Sequence, residues 1–286
     1  MYRELTFERK LKAHMRLVST GFSNAMRAYF SVRTRAAMNL IGTALEVAVW
    51  GVLGMLMANS PIEASVKTYY MTPNMVSFML SGLIINRLVD IAQIFSPWFF
   101  RGSYKTYHNR PFNIWITAFA KNINEMFFWR LVGVIMYIVL AAFVFRIKLN
   151  YASSGFWLVI MIGALFRLGL NLFTAGWSIL TRGEEDPINW FYNITSRLFT
   201  GELIPVNYLN TVPTIGPFLT LISDIHPKTY VQTLGRRAAI GGEKLPTIVP
   251  FLWVPCIAAA FFLVLGYLTL KTAIKRAKRE GILKWG

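Results

Sequence analysis

One stretch ahead of the last apolar segment, residues 197–230, constrains the fold more than any other part of this chain. Six glycine and proline residues interrupt it: Gly201, Pro205, Pro213, Gly216, Pro217 and Pro227. A continuous membrane-crossing helix does not easily tolerate so many breaks, because each proline removes a backbone donor. The stretch is nevertheless too apolar for a solvated loop. It therefore predicts short helical pieces that dip into the outer membrane surface, where protein or a water-filled cavity satisfies the freed backbone groups.

The composition places these pieces in a membrane protein. Hydrophobic residues make up 55% of the chain and charged residues 15%, against roughly 25% charged residues in an average soluble domain. The mean hydropathy is +0.45. A single cysteine, Cys256, excludes an intrachain disulfide framework and a cysteine-based zinc cluster. Residues 1–37 lack the apolar core of a cleavable signal peptide.

Apolar segments along the chain predict an all-α polytopic membrane protein with six transmembrane helices. Most of them approach the roughly 20 residues that a bilayer crossing requires. They cover residues 38–57, 74–95, 126–145, 155–180, 187–200 and 248–270. The fifth is short because the chain breaks at Gly201, and a re-entrant helical hairpin, residues 201–230, is predicted before the last helix. Residues 59–73 are predicted to be a short polar connection, and the segment around Arg236 and Gly242 an outer connection.

Basic segments flank the transmembrane domain, residues 38–272. Residues 1–37 hold eight Lys and Arg residues and an apolar stripe at spacings of three to five, which predicts an amphipathic helix in the cytoplasmic interface. A soluble basic tail is the alternative. Residues 273–286 are predicted to be a basic cytoplasmic tail that is helical until Gly281.

The distribution of charge predicts the orientation. The chain carries 30 Lys and Arg residues against 13 Asp and Glu residues, a net charge of +17. With this topology nineteen of the basic residues lie inside and seven outside, which predicts a multi-pass protein with both termini in the cytoplasm. Membrane orientation and anionic lipid at the basic segments account for the excess, so no nucleic-acid partner is expected.

Charged residues inside predicted spans cost roughly 2.5 to 3.5 kcal/mol each at mid-helix, so they ordinarily pair or line water. Arg87 and Asp90 are three residues apart on one helix face, which predicts a structural pair. Four others are predicted to line a path or a subunit interface: Glu46, Arg167, Arg197 and Glu202.

Enzymatic readings find little support in the sequence. Neither a catalytic set nor a metal site is expected, because the close carboxylates at 184–186 are better explained as helix-start charges.

Three local motifs recur in the order known from one transporter family. Before the last span, a Gly-x3-Pro and Pro-x-Thr-Tyr pattern is formed by Gly201, Pro205 and Leu209, followed by Pro227, Thr229 and Tyr230. Arg101-Gly102-Ser103 followed by Arg110-Pro111 is similar to a Glu-Gly-Thr segment with a downstream proline. Residues 273–283 match Ala-x-x-Arg-Ala-x-x-x-Gly-x-Leu. Over nearly its whole length the chain resembles the permease subunit of type V ATP-binding-cassette exporters, the ABC-2 type transporter permease family of bacteria and archaea.

The resemblance implies a function and partners. The chain would be the permease of an ATP-driven exporter that moves a lipid, polysaccharide, drug or similar substrate outward across the cytoplasmic membrane of a prokaryote. It would act as a homodimer on a separate cytoplasmic ATPase that holds ATP and Mg, since this chain has no Gly-x4-Gly-Lys-[Ser/Thr] phosphate loop and is expected to bind no cofactor itself.

The resemblance also implies two sets of functional residues. A coupling helix at 99–110 would contact the ATPase through Arg101, Gly102, Ser103, Tyr104, Lys105, Tyr107 and His108. An exit gate would be formed by Gly201, Pro205, Leu209, Pro213, Pro217, Pro227 and Tyr230. Arg101 stands where the family has an acidic residue, so the ATPase surface is expected to be more acidic than usual. The alternative for 99–110 is a basic connector that snorkels to anionic lipid.

Two other functions compete with export. A non-transporting membrane scaffold or assembly factor would use the basic segments only to recruit a partner. An ion-coupled secondary carrier would use the buried charges as proton sites and would need no ATP.

Overall fold

The computed structural model describes residues 33–93, 128–181, 187–211 and 213–280, together with five isolated positions between 15 and 23. Most of the predicted interface helix, residues 1–37, lies outside these ranges. The predicted coupling helix at 99–110, all seven of its named residues and the acidic turn at 184–186 also lie outside them.

All regular structure in the described ranges is helical, which confirms the predicted all-α class there. The helices are α1 Arg33–Leu56, α2 Pro61–Tyr70, α3 Met75–Asp90, α4 Phe128–Phe143, α5 Ser154–Thr181, α6 Pro187–Phe199, α7 Val206–Leu209, α8 Gly216–Ile225, α9 Pro227–Ala239, α10 Leu245–Ile248 and α11 Trp253–Arg279, with a 3-10 turn at Val249–Phe251.

Two helices in the described ranges, α5 and α11, are long and apolar enough to cross a membrane. Helices α1 and α2 make a third span only if they are counted as one element bent by 110°. Helices α3 and α4 have 16 residues each, about 24 Å, which is less than the roughly 30 Å of a bilayer core. Helix length and composition therefore indicate membrane association, and the described residues contain fewer clear spans than the six predicted.

Helices α1, α3 and α4 alternate in direction. Gly54 near the end of α1 lies against Val76 at the start of α3, whereas Glu46 earlier in α1 bonds Arg87 near the end of α3. These two helices are therefore antiparallel. Helix α4 is also antiparallel to α3, because its early residue Arg130 contacts Asp90 while its later residue Tyr137 contacts Arg87.

Helices α5 and α11 pack closely in parallel through small residues. Gly169 lies against Leu263, and seven residues later Gly176 lies against Leu270, so the register advances in the same direction along both helices. A Cβ atom at Gly169 would be 2.5 Å from the backbone nitrogen of Leu263. Glycine permits this approach of two backbones, as is common where helices pack in membranes.

Parallel packing requires the chain to return between the end of α5 and the start of α11. Helix α6 has 13 residues, about 20 Å, and does not cover a full crossing by itself. The return is complete at the end of α9, where the backbone N–H of Asn150, just before α5, donates to the carbonyl of Ala239 at 2.7 Å. The segments from α6 to α9 together therefore bring the chain back.

Two segments predicted as connections are helices with buried faces. Residues 61–70 form α2, in which Val66 and Tyr70 are fully buried against α3. Arg236 lies on α9, not in an outer connection, and none of its surface is exposed. The sequence did not predict these two helices, because a short helix with polar residues carries little apolar signal, and only its packing against α3 shows what it buries.

Candidate functional site

The charges of α3 pair with other helices. Arg87 Nη2 lies 2.6 Å from Glu46 Oε2 on α1, and Asp90 Oδ1 lies 3.0 Å from Arg167 Nε on α5. The predicted Arg87–Asp90 pair is therefore wrong. Spacing along one helix brought the two residues to one face, but that face packs against several helices, and each charge has a nearer partner there.

A cavity of about 580 Å³ lies among five helices and collects these charges. Residues of α1, α3, α4, α5 and α6 line it. Its charged lining residues among those described are Glu46, Arg87, Asp90, Arg130, Arg167 and Arg197. Its uncharged polar lining residues are Thr43, Asn86, Gln93, Tyr137, Asn193 and Ser196. A polar cavity of this size within a helical bundle is the strongest candidate site in the described part of the chain.

Arg167 is the most deeply placed of the lining arginines. Its side chain is 2% exposed. Besides the pair with Asp90, its Nη2 donates to Asn193 Oδ1 on α6 at 3.2 Å, and its guanidinium lies 4.6 Å from the ring centre of Tyr192. Its Nη1 is buried with no hydrogen-bond partner among the described residues. Arg167, on α5, therefore bonds both α3 and α6, and its Nη1 makes no hydrogen bond to the described residues.

Glu46 links the helices α1, α3 and α4 that line the cavity. It accepts hydrogen bonds from Arg87 and from the hydroxyl of Tyr137. Arg87 also donates to that hydroxyl at 3.2 Å. The three side chains join α1, α3 and α4 at one point.

Arg130 binds the C-terminal end of α3. Its Nη2 donates to Gln93 Oε1 at 2.7 Å, and its Nη1 donates to the carbonyl of Asp90. A cationic group near the last carbonyls of a helix is favourable, because the dipole and the free acceptors both attract it.

Three of the four predicted path residues line this cavity and the fourth does not. Glu46, Arg167 and Arg197 share it, whereas Glu202 lies elsewhere in the bundle. Sequence reasoning missed Arg130 and Tyr137. Their seven-residue spacing, two helical turns, places both on one face of α4 and is the signal that could have indicated them.

A second polar cluster, which we call the buried anchor, consists of Glu202, Lys228 and Arg236. Their exposures are 1%, 3% and 0%. Lys228 Nζ donates to Glu202 Oε2 at 2.7 Å and to Ser196 Oγ at 3.1 Å. Arg236 donates to the carbonyl of Glu202 at 2.9 Å. The anchor fixes the segment after α6 to α9.

Arg236 also fixes this segment to α3. It donates to the carbonyl of Phe78 at 3.1 Å and to Ser81 Oγ at 3.2 Å, and its guanidinium lies 3.9 Å from the ring centre of Phe78. A buried charge is tolerated when hydrogen bonds replace its hydration, and these bonds do so for most of the guanidinium.

The predicted gate residues occupy turns and helix starts. Gly201 has φ +74°, a conformation that favours glycine. Next to it, the hydroxyl of Tyr70 accepts from the backbone N–H of Val206 at 2.8 Å. Pro205 caps α7, Pro217 lies in the first turn of α8 and Pro227 begins α9, positions at which proline fits a helix.

The other gate residues differ in exposure. Leu209 is buried, Pro213 is exposed in a turn, and the hydroxyl of Tyr230 donates to the carbonyl of Asp224 at 3.0 Å. The breaks recognised in the sequence are therefore real breaks between short helices.

Among the described residues, no group of three or more His, Cys, Asp or Glu side chains is placed to hold a metal ion. No protein-family model and no curated protein sequence matches the chain.

Proposed function

We propose that this chain is the membrane-spanning permease subunit of an ATP-driven exporter, with the motor on a separate ATPase. The observation that carries the transport part is the charged cavity among α1, α3, α4, α5 and α6. Intramembrane charges mark substrate or ion pathways when they face a cavity inside the bundle, and here six of them do so.

The position of the cavity supports entry from the cytoplasmic side. It is lined by the N-terminal parts of α1 and α4 and by the C-terminal end of α3. In the proposed topology all three lie toward the cytoplasm. Substrate would enter the cavity from the cytoplasm or the inner leaflet.

The broken stretch supports an exit on the opposite side. The parallel direction of α5 and α11 is the one that a fourth and a sixth span require. The chain between them returns through short helices, and the buried anchor holds these against α3. We propose that α7, α8 and α9 form the re-entrant outer segment under which substrate leaves, and that outward release requires the anchor to move.

The ATP-driven part rests on the family resemblance. The sequence has no phosphate loop of its own, so hydrolysis would reside on the partner ATPase. Six spans form half of such a transporter, so two copies of the chain would act with two ATPase subunits. The 99–110 segment would transmit closure of the motor to the spans.

Matched charge reversals of two lysines test the proposal. Lys105 lies in the proposed coupling segment, and Lys148 is exposed in the loop before α5. The chain would be purified with the ATPase that accompanies it and reconstituted in proteoliposomes. We expect Lys105→Glu to abolish substrate-stimulated ATP hydrolysis and ATP-dependent transport, and Lys148→Glu to leave both unchanged.

Equal behaviour of the two variants would contradict the proposed coupling role.

Replacement of Gly102 and Tyr104 distinguishes export from scaffolding. An exporter loses substrate-coupled hydrolysis while the ATPase can stay bound, whereas a scaffold fails only through lost recruitment.

An ion-coupled carrier is the second candidate, because two carboxylates, Glu46 and Asp90, line the cavity. Transport that follows a proton gradient without ATP, and that is lost in Glu46→Gln, would favour the carrier. Both carboxylates are already paired with arginine, and this favours the exporter.

A further inference from the structure

We propose that the cavity binds a phosphoryl group, so that its ligand is a phosphate-bearing anion. As a statement about the transported substrate, the inference rests on the proposed export function. As a statement about what binds in the cavity, it stands on the residues alone.

The charge of the lining favours an anion. Four arginines and two carboxylates line the cavity among the described residues, a formal excess of two positive charges. Charge in the interior of a helical bundle is costly unless an opposite charge or water compensates it. A ligand that carries two negative charges would balance the lining, whereas a cation would add to the excess.

Arg167 provides the second, independent observation. Its side chain is almost fully buried and lines the cavity, and its Nη1 has no hydrogen-bond partner among the described residues. A buried donor without a partner is unfavourable, and more so when it is charged. Nη1 is also shielded from the cavity, so a ligand oxygen would reach it only after a shift of the side chain. The planar guanidinium, which lines the cavity, suits the oxygens of a phosphoryl group.

Arg197 provides a donor on a neighbouring wall. It lies on α6, lines the same cavity and is exposed. It makes no hydrogen bond or ion pair within the described residues. Arg197 is therefore available to a ligand without breaking an existing pair.

The size of the cavity indicates that the phosphoryl group belongs to a larger molecule. About 580 Å³ lies in the range of ordinary small-molecule sites, about 300 to 1,000 Å³. Asn86, Asn193 and Tyr137 line the cavity as well and offer neutral polar groups to the rest of the ligand. The phosphoryl group can come from the headgroup of an anionic lipid or from a water-soluble phosphate compound.

Binding to the full-length chain, without any ATPase, tests the inference. The chain is reconstituted in phosphatidylcholine nanodiscs, and its thermal unfolding is followed with two probes in separate arms. One probe is phosphatidic acid mixed into the nanodisc, and the other is inorganic pyrophosphate in solution. Arg197→Gln is compared with Arg279→Gln, since Arg279 is an exposed arginine at the end of α11 outside the cavity.

We expect at least one probe to raise the unfolding temperature of the parent chain. Arg197→Gln should weaken that binding about tenfold, the usual effect of losing one charge-assisted hydrogen bond, and Arg279→Gln should not change it. An effect of phosphatidic acid alone identifies a lipid ligand, and an effect of pyrophosphate alone identifies a soluble one. Because Arg197 has no partner among the described residues, both variants should unfold like the parent without a probe.

Two results would overturn the inference. One is no stabilisation by either probe, and the other is an equal loss in Arg197→Gln and Arg279→Gln, which would indicate general surface charge. Neither result bears on ATP coupling. Conversely, a chain that binds the anion in the cavity but is never driven by an ATPase would refute export and leave the anion site intact.

Discussion

Arg236 shows how a single residue holds the broken stretch to the rest of the bundle. It is fully buried, donates to carbonyls of Phe78 and Glu202, and stacks on the ring of Phe78. Its neighbour Lys228 pairs with Glu202. Removing one member of a buried ion pair destabilises the fold by more than the intact pair stabilises it, because the remaining charge stays desolvated. Arg236 and Lys228 therefore determine whether the segment from Gly201 to α9 keeps its position against α3.

Gly82 on α3 gives a direct test of this contact. A Cβ atom at this position would overlap Nη2 of Arg236 and the carbonyl oxygen of Glu202. We expect Gly82→Ala to destabilise the chain by about 3 kcal/mol, from overpacking and from a displaced buried guanidinium. Thermal unfolding in detergent measures the change.

Gly42→Ala on α1 is the matched control. No atom of the described residues lies within 4 Å of a Cβ atom at this position. Alanine has the higher helix propensity, so this variant should be neutral or more stable by up to about 1 kcal/mol. Equal unfolding temperatures for the two variants would show that Arg236 does not occupy the described position.

At the scale of elements, the segments from α6 to α9 return the chain from the end of α5 toward its start without one continuous helix. Their breaks coincide with Gly201, Pro205, Pro217 and Pro227, which the sequence already marks as helix boundaries. The sequence did not indicate how far α9 continues. Helix α9 extends to Ala239, nine residues beyond the predicted end of the hairpin at residue 230. The polar residues of α9 gave no sign in the sequence of a buried helix, because Lys228, Gln232 and Arg236 are buried only through contacts with distant segments.

Accessibility of α7 tests the proposed position of the broken stretch. In a Cys256→Ala background, a single cysteine in place of the exposed Asn207 should react with a membrane-impermeant maleimide added from outside. We expect no reaction of Asn207→Cys from the cytoplasmic side, because α7 belongs to the outer segment in the proposed topology.

Lys275→Cys, an exposed position near the end of α11, is the control and should show the opposite pattern. If Asn207→Cys reacted only from the cytoplasmic side, the outer position of α7 would be wrong and α6 would not lead toward an exit.

For the whole molecule, burial changes the charge count behind the predicted orientation. Lys228 and Arg236 were counted among the seven basic residues predicted to lie outside, but both are buried. Five of the predicted outer basic residues are then left, against nineteen predicted inside. Charges near the membrane surface favour an orientation, so the contrast in the predicted topology is stronger than the sequence count indicated.

Reporter fusions test this orientation. Alkaline phosphatase, which folds only outside the cytoplasm, should be active when fused after Lys148. Green fluorescent protein should fluoresce when fused after Trp285, since both termini are expected in the cytoplasm. Activity of the phosphatase at the C-terminus would reverse the topology and would place the charged cavity toward the outside.

Local patterns determined much of this protein. The apolar segments, their helical character and the breaks at glycine and proline follow from side-chain hydrophobicity and backbone geometry, which act within a few residues. The tertiary structure decided the rest. Arg87 pairs with Glu46 and not Asp90, and Glu202 joins Lys228 instead of the cavity. Such pairings depend on which helices become neighbours and in what register they pack. The paired residues lie tens of positions apart in the chain, so the spacing of residues along the sequence does not predict them.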